Sequence, residues 1–380
     1  MSKVYLKDVV TRIKDKVDKD NTDLEYYIGG EHFDNGEIQI TKKGVIAGST
    51  IGPAFHMRFV PGDVLLMSRN PHLRKAGVVD FEGICSDVSY VCRTKDENVL
   101  MQKFLPFIFQ SDDFWRFAEE NKKGSTNFFL NWSDFEKYEF NLPPIETQRK
   151  LVEILWSFED TKTAYKKLLD KTDELVKSQF IEMFGDTESN PMGWKESTLK
   201  EICVGKLSYG SGAAATEYDG ETRYVRITDI TENGELSNDV KSPNAIDEKY
   251  LLNDGDILFA RSGATVGKTL MHKAAYGRCI YAGFLIRLVP DTSKVLPDYV
   301  FGFTKSAFYE DFVRRTQRAV GQPNINAQEY GDLKICIPPM SLQKQFAEFL
   351  HQSDKSKFEL KQAIADIDNL ARALMQQELN

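Results

Sequence analysis

The sequence predicts an α+β chain written twice: two mostly-β domains separated by two long helices that form an antiparallel coiled coil, the whole duplicated with pseudo-twofold symmetry. Three observations predict it. Blocks of residues recur in the same order at a nearly constant offset. Each copy opens with short apolar runs broken by Gly, Asn and Asp. Each copy then closes with Pro-Pro and an unbroken helical pattern of coiled-coil period.

The repeat comes first because it fixes the frame. Leu142-Pro143-Pro144-Ile145, followed by Gln148, Leu151, Glu153 and Leu155, recurs 195 residues later as Ile337-Pro338-Pro339-Met340, Gln343, Phe346, Glu348 and Leu350. Pro61-Gly62-Asp63-Val64-Leu65-Leu66 answers to Asp254-Gly255-Asp256-Ile257-Leu258-Phe259 at an offset of 193. Leu6-Lys7-Asp8-Val9 answers to Leu199-Lys200-Glu201-Ile202 at the same offset, and Asn131 falls on Asn326. Copies of this length are too long for solenoid repeats and read as a duplicated domain pair.

Within each copy the β part is read from its punctuation. Val64-Leu65-Leu66-Met67, Val88-Ser89-Tyr90-Val91, Tyr224-Val225-Arg226-Ile227 and Ile257-Leu258-Phe259 are strand-length apolar runs between turn formers. A short helix is expected at 112–120, with its counterpart at 306–315. The long helices begin where proline is tolerated, since its missing N–H would be unpaired at a helix start. Along the first, Leu151, Ile154, Phe158, Tyr165, Leu168 and Leu175 fall on alternating steps of three and four, with Thr161 and Thr172 in the gaps. Along the second, Leu360, Ile364, Ile367, Ala371 and Leu374 do the same. About 40 residues at 1.5 Å each make a rod of about 60 Å. Such a stripe finds its natural partner in the other rod, and Gly185-Asp186 ends the first as a C-cap would. The expected divisions are 1–141, 142–187, 188–336 and 337–380.

Composition narrows the function classes. At 380 residues, 41% of them apolar, the chain suits two or three soluble domains. The N-terminus has no apolar run of signal-peptide length, and no stretch reaches the roughly 18 apolar residues of a membrane helix, so a cytoplasmic protein without membrane contact is expected. Cys85, Cys92, Cys203, Cys279 and Cys336 are scattered, with no CxxC pair and no histidine at ligand spacing. They read as buried free thiols, not as a metal or disulfide framework. A net charge of −8 argues against nucleic acid only if the acid is spread evenly. It is not: residues 256–322 hold ten Lys and Arg against five Asp and Glu, whereas residues 56–131 balance at ten and ten.

Catalytic motifs fail on inspection. Ser262-Gly263-Ala264-Thr265-Val266-Gly267-Lys268-Thr269 approaches a phosphate-cradling loop, but Ser262 stands where the first glycine belongs and the following residues read as strand and turn. Asn141-Leu142-Pro143-Pro144 imitates a methyltransferase Asn-Pro-Pro-aromatic motif, yet Leu142 interrupts it and a helix replaces the aromatic. No GxGxxG lies between a strand and a helix, and no nucleophile stands near a base. No catalytic residue, metal or cofactor is therefore assigned to this chain.

What remains fits contact with double-stranded DNA. Each copy carries Arg beside small or amide residues after a buried strand: Arg69 and Asn70 with Arg74 and Lys75, and Arg261 and Ser262 with Lys268. Each also has a polar loop before its last strand. In the first copy it supplies Lys122, Lys123, Thr126 and Asn127; in the second, Arg318, Gln322, Asn324 and Asn326. Arg can grip guanine bidentately, Asn and Gln adenine, and Lys phosphate.

The duplicated layout resembles the specificity subunit of type I restriction-modification systems over essentially the whole chain. The residues that carry the resemblance are Gly255-Asp256-Ile257-Leu258-Phe259-Ala260-Arg261-Ser262-Gly263 and Gly321-Gln322-Pro323-Asn324-Ile325-Asn326. Ile337-Pro338-Pro339 with Gln343 and the central run Phe184-Gly185-Asp186, Asn190-Pro191 and Gly193-Trp194 add to it. The resemblance implies two target-recognition domains, each reading one half of a split DNA site, with paired helices that set the gap. It also implies two partner modification subunits that methylate adenine from S-adenosylmethionine, and restriction or translocase subunits driven by ATP and Mg²⁺. The first copy departs from the pattern, with Met67-Ser68-Arg69-Asn70-Pro71 and Phe128-Phe129-Leu130-Asn131 as loose matches. Two other classes stay open: a stand-alone DNA-binding protein of the same architecture, and a nucleotide-binding enzyme built on Gly267-Lys268-Thr269.

Overall fold

A computed structural model describes residues 2–317 and 324–379. The chain divides into two compact units, Met1–Tyr165 with Gln362–Asn380, and Lys166–Lys361. Each long helix, Ile145–Phe184 and Met340–Leu379, is 40 residues long and gives one part to each unit.

In the first unit an antiparallel sheet runs in the order Val10–Ile13, Ser89–Thr94, Val64–Met67, Ala76–Val78. Its strand Val64–Met67 is buried at every position, which is why it reads as a continuous apolar run rather than an alternation. Leu65, Met67 and Val91 pack with Ile28 and Phe59 of a second sheet, ordered Gly44–Val45, Tyr26–Ile28, Gly83–Ser86, Phe55–Phe59. Val64 and Leu66 join a core with Phe104, Phe109 and Phe114 from the helices that follow. Ser2–Tyr5 pairs antiparallel with Glu139–Leu142 and ties the two ends of the domain together.

The second unit repeats the plan. Ser208–Tyr209, Leu285–Leu288, Ile257–Ala260 and Thr269–Met271 form the matching sheet. The parallel pair Thr222–Val225 and Arg278–Tyr281 matches the parallel pairing of Tyr26–Ile28 with Gly83–Ser86. Lys195–Thr198 with Lys334–Ile337 matches the closing pair. The expected short helices occur as Asp112–Glu120 and Ala307–Gln317. Each is preceded by a helix the sequence did not announce, Leu105–Gln110 and Pro297–Phe303. The first of these is buried from Leu105 to Phe109, so it lacks the polar face that makes a helical period visible.

Each long helix is joined to its domain by a buried glutamine. Gln148 Oε1 accepts from Met101 N at 3.0 Å, while Nε2 donates to Val99 O at 2.9 Å and Pro143 O at 2.8 Å. Gln343 repeats this 195 residues on, accepting from Leu296 N at 2.8 Å and donating to Lys294 O at 3.3 Å and Pro338 O at 2.9 Å. Both side chains are fully buried, and every partner is a backbone group.

The helices pair antiparallel inside each unit. In the first, Leu151, Val152 and Leu155 share a core with Met375 and Leu379. In the second, Val176, Phe180 and Phe184 share one with Phe346 and Leu350. Phe184 meets Tyr299 edge-on at 4.8 Å between ring centres. The helix then stops at Gly185, whose φ of 76° suits glycine. Trp194 Nε1 donates to the orphaned Phe184 carbonyl at 3.1 Å.

The expected stripe on Ile145–Phe184 needs correcting by one residue. Leu151 is buried and Phe158 and Tyr165 are partly so, but Ile154, Leu168 and Leu175 are 42%, 50% and 52% exposed. The inward line instead runs Gln148, Val152, Leu155, Glu159, Lys162, then Leu169, Asp173, Val176 and Phe180, all buried or partly buried. The period is right and the phase is not, because the middle of the buried face is ionic. Lys162 lies between Glu159 at 3.0 Å and Asp368 at 2.7 Å. Lys357, 195 residues later, lies between Asp354 at 3.2 Å and Asp173 at 3.1 Å. On the other helix Leu360, Ile364, Ile367, Ala371 and Leu374 are partly buried in the expected phase.

Candidate nucleic-acid interface

In both units the site grows from the end of the most buried strand. Beyond Ile257–Ala260, Arg261 N donates to Phe284 O at 3.1 Å and its carbonyl accepts from Ile325 N at 2.8 Å. Its backbone is thus fixed from two sides, and Ser262 bridges to Asn324. The guanidinium lies over the Tyr209 ring at 4.8 Å, and Nε donates to Asn324 Oδ1 at 3.2 Å. Tyr209 is itself anchored, its hydroxyl accepting from Ala327 N at 3.0 Å. Phe284, on the turn between two strands, is 59% exposed. The result is an arginine set over an aromatic ring and hydrogen-bonded to a carboxamide. An arginine oriented in this way can present its remaining N–H groups in one plane to a base edge or phosphate.

The structure brings Arg261, Ser262 and Asn324 together. It does not bring Lys268 to them: its Nζ pairs with Glu232 at 2.8 Å on a different cavity. Asn326 caps the helix Ala327–Gly331, its oxygen accepting from Gln328 N at 2.9 Å and Glu329 N at 3.0 Å. Arg318 and Gln322 lie outside the described residues. Tyr209 and Phe284 were not found in the sequence, because no motif marks an exposed aromatic whose neighbour arrives from a distant strand.

The first unit builds the same frame with other side chains. Ser68 N donates to Val88 O at 2.8 Å and Ser68 O accepts from Leu130 N at 2.9 Å, so Ser68 holds the position of Arg261. Arg69 bridges to Phe129 and is exposed. Arg69 and Asn127 line one shallow cavity of about 400 Å³ with Asp87, Val88 and Phe129. Arg12, missed in the sequence, lies over Tyr90 at 4.2 Å beneath it. Thr126 is exposed on the same loop. Asn70 adopts φ of 51° with its N–H donating to Phe128 O at 2.9 Å.

The remaining expected residues are turned to internal partners. Arg74 pairs with Asp112 at 2.6 Å, and Lys75 Nζ donates to Gly30 O at 2.6 Å. Lys122 pairs with Glu119 at 2.7 Å and lies over Phe128 at 4.2 Å. Lys123 pairs with Asp134 at 2.7 Å, and this hydrogen bond holds the Asp134 carboxyl below its usual range.

Among the described residues, the positive excess of residues 256–322 does not gather into one basic face. Arg287 pairs with the buried Asp256, Arg278 with Glu248, Lys273 with Asp354, Lys294 with Asp291, and Arg314 with Asp311. After Thr265 the chain enters strand Thr269–Met271, so no helix follows the Gly267-Lys268-Thr269 turn as a phosphate-cradling loop requires. All five cysteines are buried and free, and burial pushes the Cys85 thiol up to about 12 and that of Cys279 to about 11. Among the described residues no group of three or more His, Cys, Asp or Glu could hold a metal ion, and no helix is long and apolar enough to cross a membrane.

Known proteins share this layout. The family model described as type I restriction modification DNA specificity domain matches twice, at residues 2–174 and 191–367. The chain is 22% identical over 372 residues to a putative type I restriction enzyme MjaX specificity subunit of Methanocaldococcus jannaschii, covering 90% of this chain and 84% of that one. It is 29% identical over 127 residues to the type I restriction enzyme StySPI specificity subunit of Salmonella potsdam, where the match spans 31% of this chain and 27% of the relative. The fold is similar to the crystal structure of a type I restriction-modification S subunit from M. genitalium, with a TM-score of 0.55 at 13% identity over 100% of this chain and 96% of that one. A structure from work on complex assembly and conformational transition of the type I R-M system gives 0.55 at 17% identity, over 99% and 97%. With two matches in order across nearly all of its length, the chain belongs to the type I restriction modification DNA specificity family, whose members are non-catalytic subunits for DNA sequence recognition.

Proposed function

We propose that each unit reads one half of a split double-stranded DNA sequence, and that the chain brings two adenine-methylating partner subunits to that site. The observation that carries this reading is the repeated frame at Ser68 and Arg261. Two strand ends are fixed by the same pair of backbone hydrogen bonds; one carries Arg261 at the matched position, and the other carries the exposed Arg69 next to the buried Ser68. The reading places S-adenosylmethionine, ATP and Mg²⁺ in the partner subunits, restriction or translocase subunits among them, and the complex in the cytoplasm. Lys and Arg contacts to phosphate make binding fall steeply with salt, while Arg261 and Asn324 in one unit and Arg69 and Asn127 in the other read bases.

Helix length supplies the gap between the half-sites. Adding one heptad to both long helices, about 10 Å at 1.5 Å per residue, should lengthen the gap by about three base pairs and leave both half-sites unchanged. Equal affinity for all gaps in such a variant would remove the ruler from the proposal.

The deciding experiment is co-expression with a candidate adenine-methyltransferase subunit from the same genome, followed by mapping of N6-methyladenine in the host genome. A split motif with a fixed gap is the expected result. A stable complex without methylation would overturn the modification role and favour a binding protein without one, and failure to co-purify would favour the stand-alone DNA-binding protein.

A further inference from the structure

The two units differ at one matched niche beside the long helices. In the first unit the niche is filled by Gln110, at the end of the helix Leu105–Gln110. Its Nε2 donates to the carbonyls of Glu37 at 3.2 Å, Arg74 at 3.2 Å and Ala76 at 2.5 Å, and its Oε1 accepts from Trp115 Nε1 at 3.3 Å. This neutral amide borders a cavity of about 440 Å³ that also holds Lys162 and Asp368. Its hydrogen-bonding capacity is met by the protein.

In the second unit the residue 195 positions later is Lys305. It borders a cavity of about 470 Å³ with Asp173, Lys177, Lys268 and Lys357. The other cations here each have a carboxylate: Lys177 has Glu310 at 3.0 Å, Lys268 has Glu232 at 2.8 Å, and Lys357 has Asp173 at 3.1 Å. Lys305 forms no ion pair among the described residues. Its Nζ reaches Thr269 Oγ1 at 3.3 Å and lies 4.7 Å from the Phe301 ring centre. The hairpin tip above it is Gly234 at φ of 80°, where a β-carbon would stand 2.8 Å from Nζ. Glycine there lets the backbone approach the ammonium without covering it.

An ammonium drawn from water without a counter-charge is costly unless something supplies the charge. The first unit avoids the problem with an amide; the second has the cation and the room, while the carboxylates that line the cavity, Asp173, Glu232 and Glu310, are each paired with another lysine. We propose that the cavity around Lys305 is a binding site for a compact oxyanion, the carboxylate or phosphate group of a small molecule. Hydrogen bonds from the remaining N–H groups of Nζ would hold it, and its charge would give Lys305 the ion pair that it lacks among the described residues.

Burial, with the Lys177 ammonium nearby, pulls the Lys305 amine down to about 8. Asp173 and Lys177 from one long helix, Lys357 from the other, and Glu232 from the hairpin face it. Lys305 therefore loses its charge as pH rises through about 8, and anion binding should fade over that range.

The test is thermal unfolding of the full chain at fixed ionic strength, with chloride replaced by inorganic phosphate or by acetate. At pH 7 one or both should raise the midpoint by about 3 °C at tenfold excess over Kd, and the better of the two names the group preferred. Lys305→Gln, which copies the first unit, should abolish the shift; Lys305→Arg, which keeps the charge, should retain it. No shift in the unaltered chain, or an equal shift in Lys305→Gln, would overturn the site and leave an adventitious ion only.

Discussion

The two units share a backbone and differ in what it carries. Ser68 and Arg261 each donate to a neighbouring strand and accept from a returning loop, yet one is a small hydroxyl and the other a guanidinium held on Tyr209. Gln110 and Lys305 stand in matched niches, one neutral and satisfied, the other charged and short of a partner. In contrast, Gln148 and Gln343 make the same three hydrogen bonds. The joints between helix and domain have kept their residues, while the strand ends and the niches have diverged.

The largest effects should fall where the copies agree. Gln148→Ala and Gln343→Ala each strand one N–H and two carbonyls in a buried joint, and each should lower stability by about 3 kcal/mol in urea unfolding. A large loss from one and none from the other would break the equivalence of the joints.

Next come the diverged positions. On the proposed function, Arg261→Ala should weaken binding to methylation-site DNA by about 2 kcal/mol, roughly thirtyfold, with relaxed specificity at one half-site. Ser68→Ala should change affinity by less than about twofold, since it removes no cation. Competition binding with mutated half-sites measures both. Equal losses would mean that the loops contribute alike despite their chemistry.

The ionic triads should respond to acid in opposite directions. Burial outweighs Lys162 and holds the Glu159 carboxyl above its usual range. That share of stability is present below the unfolded value and lost as pH rises through the folded one. Asp354 is the reverse: burial alone would raise it, but Lys273 and Lys357 hold it low, so its share is lost as pH falls through its folded value. Hydrogen exchange between pH 6 and 3 should show protection fading around Lys357 and not around Lys162. Parallel fading in both would remove the distinction.

The smallest effect is expected at Arg74. Its pair with Asp112 is about half exposed, so Arg74→Ala should cost at most about 1 kcal/mol and leave DNA affinity unchanged. A clear loss of affinity would return Arg74 to the reading surface.

Periodicity and repetition made much of the fold legible. The buried strands Val64–Met67 and Ile257–Ala260, the helices Asp112–Glu120 and Ala307–Gln317, and both long helices follow from apolar pattern and turn chemistry. The phase of Ile145–Phe184 did not, because Glu159, Lys162 and Asp173 occupy inward positions that a hydrophobicity pattern assigns to the outside. The candidate site was legible only at its loops. Arg261 and Asn324 could be singled out by type, but Tyr209 and Phe284 join them through strand pairing that the local sequence does not encode. Likewise, residue type could not separate Arg69, which stays exposed, from Lys123, whose ammonium meets Asp134 across eleven residues of chain.

The glutamine joints grip main-chain atoms alone, at Val99, Met101 and Pro143 in one unit and at Lys294, Leu296 and Pro338 in the other. A fastening that ignores side-chain identity makes a recognition domain interchangeable. Its loops can be rewritten, or a foreign domain spliced in between the same carbonyls, with the socket on the helix left as it was.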